Sequence, residues 1–195
     1  MRRFSLFILL AFCLAAPSWV AAQDSYDHVE AGAFIDYMRF GATDPVLNLV
    51  GVGGRAGFNV HPNVVIEGEM SYDFERTFIN TGGTGGNGSA VRTRFRPLTG
   101  LFGPKFETSG PVKAFVTAKV GFVNFSVSNA SVGTGFNNAF NNIGNGATKL
   151  ALYPGGGIEG FWGPFGLRLD VGDEIYVDNG TYNNLKATFG PVFRF

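Results

Sequence analysis

The chain has 195 residues, and its 15 Lys and Arg residues balance 15 Asp and Glu residues, so it has no basic surplus of the kind that binds nucleic acid. Its 29 Gly and 21 Phe residues are typical of a β protein with many tight turns. The length suits one domain, and a single cysteine, Cys13, excludes an internal disulfide.

The first 22 residues have the pattern of a secretory signal peptide. Two arginines, Arg2 and Arg3, precede an apolar run over residues 4–16. This run is too short for a membrane helix, and small residues at 21 and 22 offer a cleavage site before Gln23. We therefore expect residues 1–22 to be removed and residues 23–195 to form one exported domain.

Segments in which apolar and polar residues alternate recur along the rest of the chain. This period of two is typical of β-strands, whose successive side chains point to opposite faces. The sequence predicts eight strands, at Val29–Phe40, Leu47–Val60, Val64–Glu75, Val91–Phe102, Val112–Phe125, Lys149–Gly160, Leu167–Tyr176 and Leu185–Phe195. The prolines at 97, 154 and 191 fall inside these strands, where each removes a ladder hydrogen bond or marks a bulge. At Pro97 the sequence leaves open whether a bulge exchanges the two faces of the strand.

Charged residues gather on one face of several predicted strands. The third strand carries acids and the fourth carries arginines, so charges of opposite sign face each other on adjacent strands. We expect these side chains to form a charge network inside a closed barrel. Its predicted members are Arg55, Glu67, Glu69, Asp73, Arg92, Arg94, Arg96, Arg168 and Asp170.

Alternation fits both a soluble barrel and a membrane barrel, because the two differ only in which face is inside. Three features favour an outer-membrane barrel: the signal peptide, the facing charges, and connections that alternate between short and long. The last predicted strand adds a fourth, since it ends on an aromatic residue, Phe195, of the kind favoured at a membrane interface. The predicted fold is therefore an all-β, eight-stranded antiparallel up-and-down transmembrane barrel.

The carboxyl-terminal residues resemble the assembly signal of a known family. Thr188 and Gly190 precede the spaced aromatics Phe193 and Phe195. This pattern resembles the small OmpA-type outer-membrane barrels, including the OmpX-like members, over residues 27–195. The resemblance implies a Gram-negative envelope protein of the porin-like class, whose signal is read by the outer-membrane insertion machinery. We expect no peptidoglycan-binding domain after the barrel, so the resemblance does not imply an anchor to the cell wall.

The sequence favours a structural role over catalysis. We expect a non-enzymatic barrel with no cofactor and no metal site, because the two histidines, His28 and His61, both fall at the predicted periplasmic end. Expected partners are outer-membrane lipid and lipopolysaccharide, the insertion machinery, and an extracellular partner of the loops. The predicted role is envelope integrity or adhesion through four displayed loops. A narrow pore for small solutes is the alternative, followed by a lipid-modifying barrel enzyme.

Overall fold

The computed structural model describes residues 28–41, 47–74, 76–80, 91–129, 148–178 and 180–195. Within these ranges, the side chains of residues 76–80, 91–95 and 127–129 are outside the description. The predicted signal peptide, residues 1–22, also lies outside the described residues. In the part of the chain that is described, no helix is long and apolar enough to cross a membrane.

The described residues form nine β-strand segments joined by turns and loops. They are β1 (Val29–Phe40), β2 (Leu47–His61), β3 (Val64–Asp73), β4 (Arg76–Asn80), β5 (Val91–Glu107), β6 (Val112–Asn129), β7 (Thr148–Trp162), β8 (Phe165–Val177) and β9 (Thr181–Arg194). Each predicted strand corresponds to one of these segments, and β5 extends five residues beyond the predicted end at Phe102.

The strands close into a barrel in which every pairing is antiparallel. Their order is β3-β2-β1-β9-β8-β7-β6-β5-β4, and β3 also pairs with β5. β3 and β4 pair with successive parts of the same strand, β5. They therefore occupy one strand position of the barrel wall, and each such position is called here a stave. The barrel thus has eight staves, and the predicted fold class is confirmed.

The prolines interrupt the ladder without exchanging the faces of their strands. Pairing between β7 and β8 skips the positions around Pro154, and pairing between β1 and β9 skips those around Pro191, with the register unchanged on either side. At Pro97 the irregularity lies on the partner stave, where the register shifts by one residue between Tyr72 and Arg76. As a result, the side chains of β5 alternate between the outer and the inner face without a change of phase from residue 96 to residue 107.

The outer face of the barrel is apolar and the interior is polar. Large hydrophobic side chains are exposed on every long strand, with Ile35 at 59%, Phe102 at 60% and Val116 at 62%. Charged side chains on the same strands are buried. This arrangement is the reverse of a soluble domain, and it is what a strand barrel needs when lipid rather than water surrounds it.

The two ends of the barrel differ in their connections. At one end, called here the turn end, Pro62–Asn63, Thr108–Pro111 and Gly163–Pro164 join the strands tightly. The Asn63 side chain ties two of these turns together by donating to the Glu107 carbonyl oxygen at 2.8 Å. At the opposite end, the loop end, three of the four connections are longer, and these lie mostly outside the described residues.

Both termini of the described domain meet at the turn end. The backbone nitrogens of His28 and Val29 donate to the Phe195 carbonyl oxygen at 2.9 and 3.2 Å, and the Phe195 nitrogen donates back to Val29 at 2.9 Å. These bonds complete the seam between the first and last strands. Both histidines lie at this end, as the sequence predicted.

Candidate functional site: the barrel interior

The interior contains more ionised groups than the core of a soluble domain of this size would hold. Among the described residues, nine acidic and six basic side chains are buried, so acids exceed bases by three. They are Glu30, Asp36, Glu67, Glu69, Asp73, Glu107, Glu159, Asp170 and Glu174, with Arg55, Lys105, Lys113, Lys119, Arg168 and Lys186. Because an unpaired buried charge is costly, the way these groups pair decides whether the interior is stable.

Near the turn end, the Lys105 ammonium is surrounded by carboxylates from three strands. It lies 2.8 Å from Glu30, 2.9 Å from Glu107 and 3.0 Å from Glu159. Lys113 also bonds to Glu107. Three carboxylates this close together could hold a cation. The Lys105 ammonium, itself fully buried, already provides the positive charge at their centre.

In a second layer, Glu67 accepts bonds from two strands that are not its neighbours in the barrel. Arg168 of β8 and Lys119 of β6 each approach it to 2.5 Å. Lys119 also contacts Glu69 at 2.6 Å, and Arg168 contacts Asp170 at 2.7 Å. The Glu67–Arg168 bond crosses the lumen, so it occupies the space through which a solute would pass.

Two aromatic rings support the basic groups of this middle layer. The Arg55 guanidinium lies 4.3 Å above the Phe34 ring, which occupies the space left by Gly53. The Arg168 guanidinium lies 4.1 Å above the Phe115 ring. Such contacts stabilise a cation that has lost its water. Glycine in β2 therefore makes room for Phe34, on which Arg55 packs.

Closer to the loop end, a third layer centres on Lys186. Its ammonium lies 2.8 Å from Glu174 and 3.3 Å from Asp36, and it donates to the Ser71 hydroxyl at 2.9 Å. Asp73 is also fully buried here, but both of its carboxylate oxygens lack a hydrogen-bond partner among the described atoms. This layer therefore carries part of the acidic excess.

Above the charges, the interior becomes apolar and aromatic. Phe40, Phe125, Tyr176 and Tyr182 pack ring against ring, with centroids between 4.9 and 5.8 Å apart. Aliphatic side chains such as Leu49 complete this cluster, which we call the aromatic cap. The cap lies between the charged layers and the loops, and it excludes water from the top of the network.

Most predicted members of the charge network lie together in the interior. Those placed inside the lumen are Arg55, Glu67, Glu69, Asp73, Arg168 and Asp170. The structure corrects the prediction for Arg96, which lies on the outer face and donates to the exposed Tyr72 hydroxyl at 3.5 Å. The physical reason is that odd-numbered residues of β5, from Pro97 to Glu107, point inward. Arg92 and Arg94 were predicted to join the network, and their side chains lie outside the described residues.

Three central members of the network, all lysines, are not among the residues predicted from the sequence. Lys105, Lys119 and Lys186 are buried at 0%, 3% and 0% exposure and connect most of the carboxylates. Their signal is present in the sequence, since each lies on the inward-facing side of an alternating strand, and Lys105 and Lys186 are the single lysines of their strands. A lone lysine in a strand is easily taken for a surface residue.

The predicted assembly signal is divided between the two faces of β9. The Thr188 hydroxyl lies in the lumen and accepts a bond from Arg55 at 2.7 Å, and Gly190 is buried. Phe193 and Phe195 lie on the outer face at 43% and 55% exposure. Phe193 packs edge-to-face against Phe165 at the turn end, where a membrane interface would lie. Recognition of these residues by insertion machinery stays a prediction.

Comparisons with known proteins support the fold alone. No family model matches the chain. No curated protein matches it either. Among solved structures, Neisserial surface protein A is 14% identical, with a TM-score of 0.50, over 86% of this chain and 96% of that one.

Two further solved structures are similar to the chain at lower TM-scores. Ail, the attachment invasion locus protein of Yersinia pestis, is 14% identical over 87% of this chain and 97% of that one, with a TM-score of 0.49. The amino-terminal barrel domain of Pseudomonas aeruginosa OprF is 12% identical over 87% and 100%, with a TM-score of 0.48. The fold of this chain is that of an eight-stranded outer-membrane β-barrel of the OmpA and OmpX-like type.

Proposed function

We propose that this protein is a closed, non-enzymatic barrel of the bacterial outer membrane that displays its loops on the cell surface. The observation that carries the proposal is the filled lumen, in which three layers of ion pairs lie beneath the aromatic cap. An eight-stranded barrel has an interior that side chains can just fill. Such a barrel serves as a stable membrane anchor that carries the loops at its loop end.

The proposed orientation follows from the two ends of the barrel. Outer-membrane barrels have short periplasmic turns and longer outer loops. We therefore assign the turn end, with both termini of the described domain, to the periplasm and the loop end to the cell surface. In this orientation Tyr37 and Tyr72 lie near the outer interface and Trp162, Phe165 and Phe193 near the inner one, each exposed on the lipid face.

The role proposed for the loops is adhesion or envelope integrity. Four connections leave the loop end, and the two longest, residues 81–90 and 130–147, have ten and eighteen residues, which gives the surface enough chain for contact with a partner. Export and cleavage of residues 1–22 are part of the same proposal. The barrel would then reach the outer membrane through the insertion machinery that recognises its last strand.

Orientation can be tested with single cysteines, because Cys13 lies in the predicted signal peptide and the mature protein would have none. Gly180→Cys places a thiol at the loop end, and Ser109→Cys places one in an exposed turn at the other end. In intact cells, we expect a membrane-impermeant maleimide to label the Cys at 180 but not the one at 109. Both should label after the cells are broken. Labelling of 109 alone in intact cells would overturn the proposed orientation.

A further inference from the structure

The acidic excess of the interior is not spread evenly over the three charged layers. The layer around Lys105 contains three acids and two bases, and the layer around Glu67 contains three of each. The layer around Lys186 contains three acids and a single base. Its acids are Asp36, Asp73 and Glu174. Among the described residues, most of the excess negative charge therefore lies in the layer beneath the aromatic cap.

Lys186 balances only one of these three acids well. Its ammonium lies 2.8 Å from Glu174 and 2.9 Å from the Ser71 hydroxyl, but 3.3 Å from Asp36. The shorter contacts direct the ammonium toward Glu174 and Ser71. Asp36 and Asp73 are thus the two carboxylates whose charges this layer leaves in excess.

Both of these carboxylates are buried without hydrogen bonds. Asp36 is 1% exposed and Asp73 is 0% exposed. None of their four carboxylate oxygens has a hydrogen-bond partner among the described atoms. Buried polar groups are ordinarily hydrogen-bonded, because a charge that has lost its water is costly unless other groups compensate it. The four oxygens are therefore available as ligands for a cation.

The strand register brings the two acids to the same level of the lumen. Asp36 of β1 pairs with Gly51 of β2, and Gly51 pairs with Asp73 of β3. Because Gly51 has no side chain, nothing on β2 separates the two acids along this row. A Cβ at 51 would lie 2.5 Å from the Tyr72 carbonyl oxygen, so any side chain there would have to displace β3. The Ser71 hydroxyl lies on the same inward face of β3, two residues before Asp73.

We propose that Asp36 and Asp73 bind one divalent cation of the calcium class inside the barrel. The two carboxylates supply the two negative charges that such an ion needs, and Ser71 offers a further oxygen. Oxygen ligands suit a hard cation, and Ca²⁺ accepts them in flexible geometry, whereas Mg²⁺ demands a near-ideal octahedron. The ion would connect β1 to β3 across β2. The expectation of no metal site rested on the histidines, which an oxygen-only site does not use.

The three carboxylates near the turn end fit a metal ion less well. Ligand atoms of Glu30, Glu107 and Glu159 lie within 4.8 Å of one another. The Lys105 ammonium, however, contacts all three at 2.8 to 3.0 Å, so the central position already holds a positive charge. Lys113 adds a second base on Glu107. Charge balance thus favours the layer beneath the aromatic cap.

The experiment measures calcium bound to the purified protein after refolding in a zwitterionic detergent. Refolding is done with Ca²⁺ or with a chelator, free ions are removed, and bound metal is counted by elemental mass spectrometry. We expect one Ca²⁺ per barrel. Asp73→Asn and Asp36→Asn should each weaken calcium affinity by roughly tenfold or more, because each removes a charged ligand. Asparagine keeps the shape of the side chain, and either variant can replace the other if one does not fold.

Thermal unfolding of the same samples gives a second readout, in which the order of stability reverses. With Ca²⁺, the unchanged protein should unfold at a higher temperature than Asp73→Asn, because the bound ion stabilises the folded state. With the chelator, Asp73→Asn should be the more stable, because the unchanged barrel then contains two buried like charges without compensation. A variant that merely damages the fold would be the less stable in both buffers.

Glu30→Gln is the matched control, since it neutralises a buried acid at the turn end. It should bind calcium like the unchanged protein. Loss of the ion in Glu30→Gln but not in Asp73→Asn would place the metal near Lys105 and overturn the proposal. Absence of bound calcium, with equal unfolding temperatures in both buffers, would also overturn it and would indicate that a proton neutralises one of the two acids. Because the ion is supplied during refolding, the result does not depend on whether the lumen conducts, which single-channel recording tests separately.

Discussion

Arg168 Nη1 lies 2.5 Å from Glu67 Oε2 across the lumen, although 101 positions separate the two residues in the chain. The pair joins β8 to β3, which are not neighbours in the barrel. Backbone hydrogen bonds link each strand only to its neighbours, so the interior side chains are what connect opposite walls. We infer that these cross-lumen bonds are the main source of rigidity in the interior.

Loss of the Glu67–Arg168 pair should be strongly non-additive. Arg168→Met leaves Glu67 with Lys119 as its one remaining direct ion pair among the described residues, and Glu67→Gln leaves Arg168 with one carboxylate fewer nearby. The double variant removes both buried charges together, so it should be more stable than the sum of the two single losses predicts. We expect a coupling of about 1–3 kcal/mol in urea-induced unfolding in lipid vesicles. Additive losses would show that the contact contributes little.

Lys105→Met should be among the most damaging single changes in the barrel. It removes the cation that balances Glu30, Glu107 and Glu159, and the carboxylates would be left buried and mutually repulsive. We expect a loss of about 3–5 kcal/mol in the free energy of unfolding. Lys149→Met is the control, because the Lys149–Asp178 pair is partly exposed at 23% and 10% and should contribute less than about 1 kcal/mol. Equal effects of the two substitutions would contradict a dry interior.

The turn between β7 and β8 depends on a glycine with a left-handed backbone. Gly163 has φ of +65°, and a Cβ there would meet nothing within 4 Å, so the cost of an alanine lies in the backbone alone. Gly163→Ala should reduce the free energy of unfolding by about 1–2 kcal/mol. Gly160→Ala is the matched control, since its Cβ would make only ordinary contacts, at 3.8 and 3.9 Å. The two variants would be compared by heating protein samples to increasing temperatures and measuring the folded fraction on gels run without further heating. An equal loss of stability in both variants would rule out the backbone explanation.

The predicted assembly signal can be separated from simple lipid contact. Phe195 and Phe189 are both outward-facing residues of the last stretch of chain, at 55% and 46% exposure. Phe195→Ala should slow insertion by the purified outer-membrane machinery several-fold, whereas Phe189→Ala should insert at the normal rate. Equilibrium stability should fall by similar amounts in both. Equal insertion rates would mean that Phe195 is only another lipid-facing aromatic.

The sequence was sufficient for the barrel because alternation and turn residues are local signals. It was insufficient for the interior, where contacts depend on which strands lie opposite each other. Lys105 illustrates this limit, since two of its three carboxylate partners, Glu30 and Glu159, come from distant parts of the chain. Phe161 is a second example. Its place in a cluster of aromatic residues predicts that it belongs to an aromatic girdle at the membrane interface. In the structure its ring instead faces the lumen, with the Arg194 guanidinium 3.3 Å from the ring centre.

Arg96 shows a different limit, which comes from the register between strands. Three arginines in alternate positions suggested an inward-facing charged row on β5. The one-residue shift opposite Arg96 and Pro97 cannot be read from either strand alone, because it lies on the partner stave between Tyr72 and Arg76. A correct assignment needs the pairing of both strands, which only the folded barrel supplies.

The central claim is that ion pairs and the aromatic cap close the lumen, and single-channel recording in a planar bilayer tests it most directly. The folded protein, shown by protease protection to be inserted, should give no steady current under an applied voltage. Tyr176→Ala together with Phe125→Ala should create an opening in the cap, and because acids exceed bases inside, any current should be carried by cations. Steady, reproducible openings of the unchanged protein would contradict the account and identify the barrel as a narrow pore.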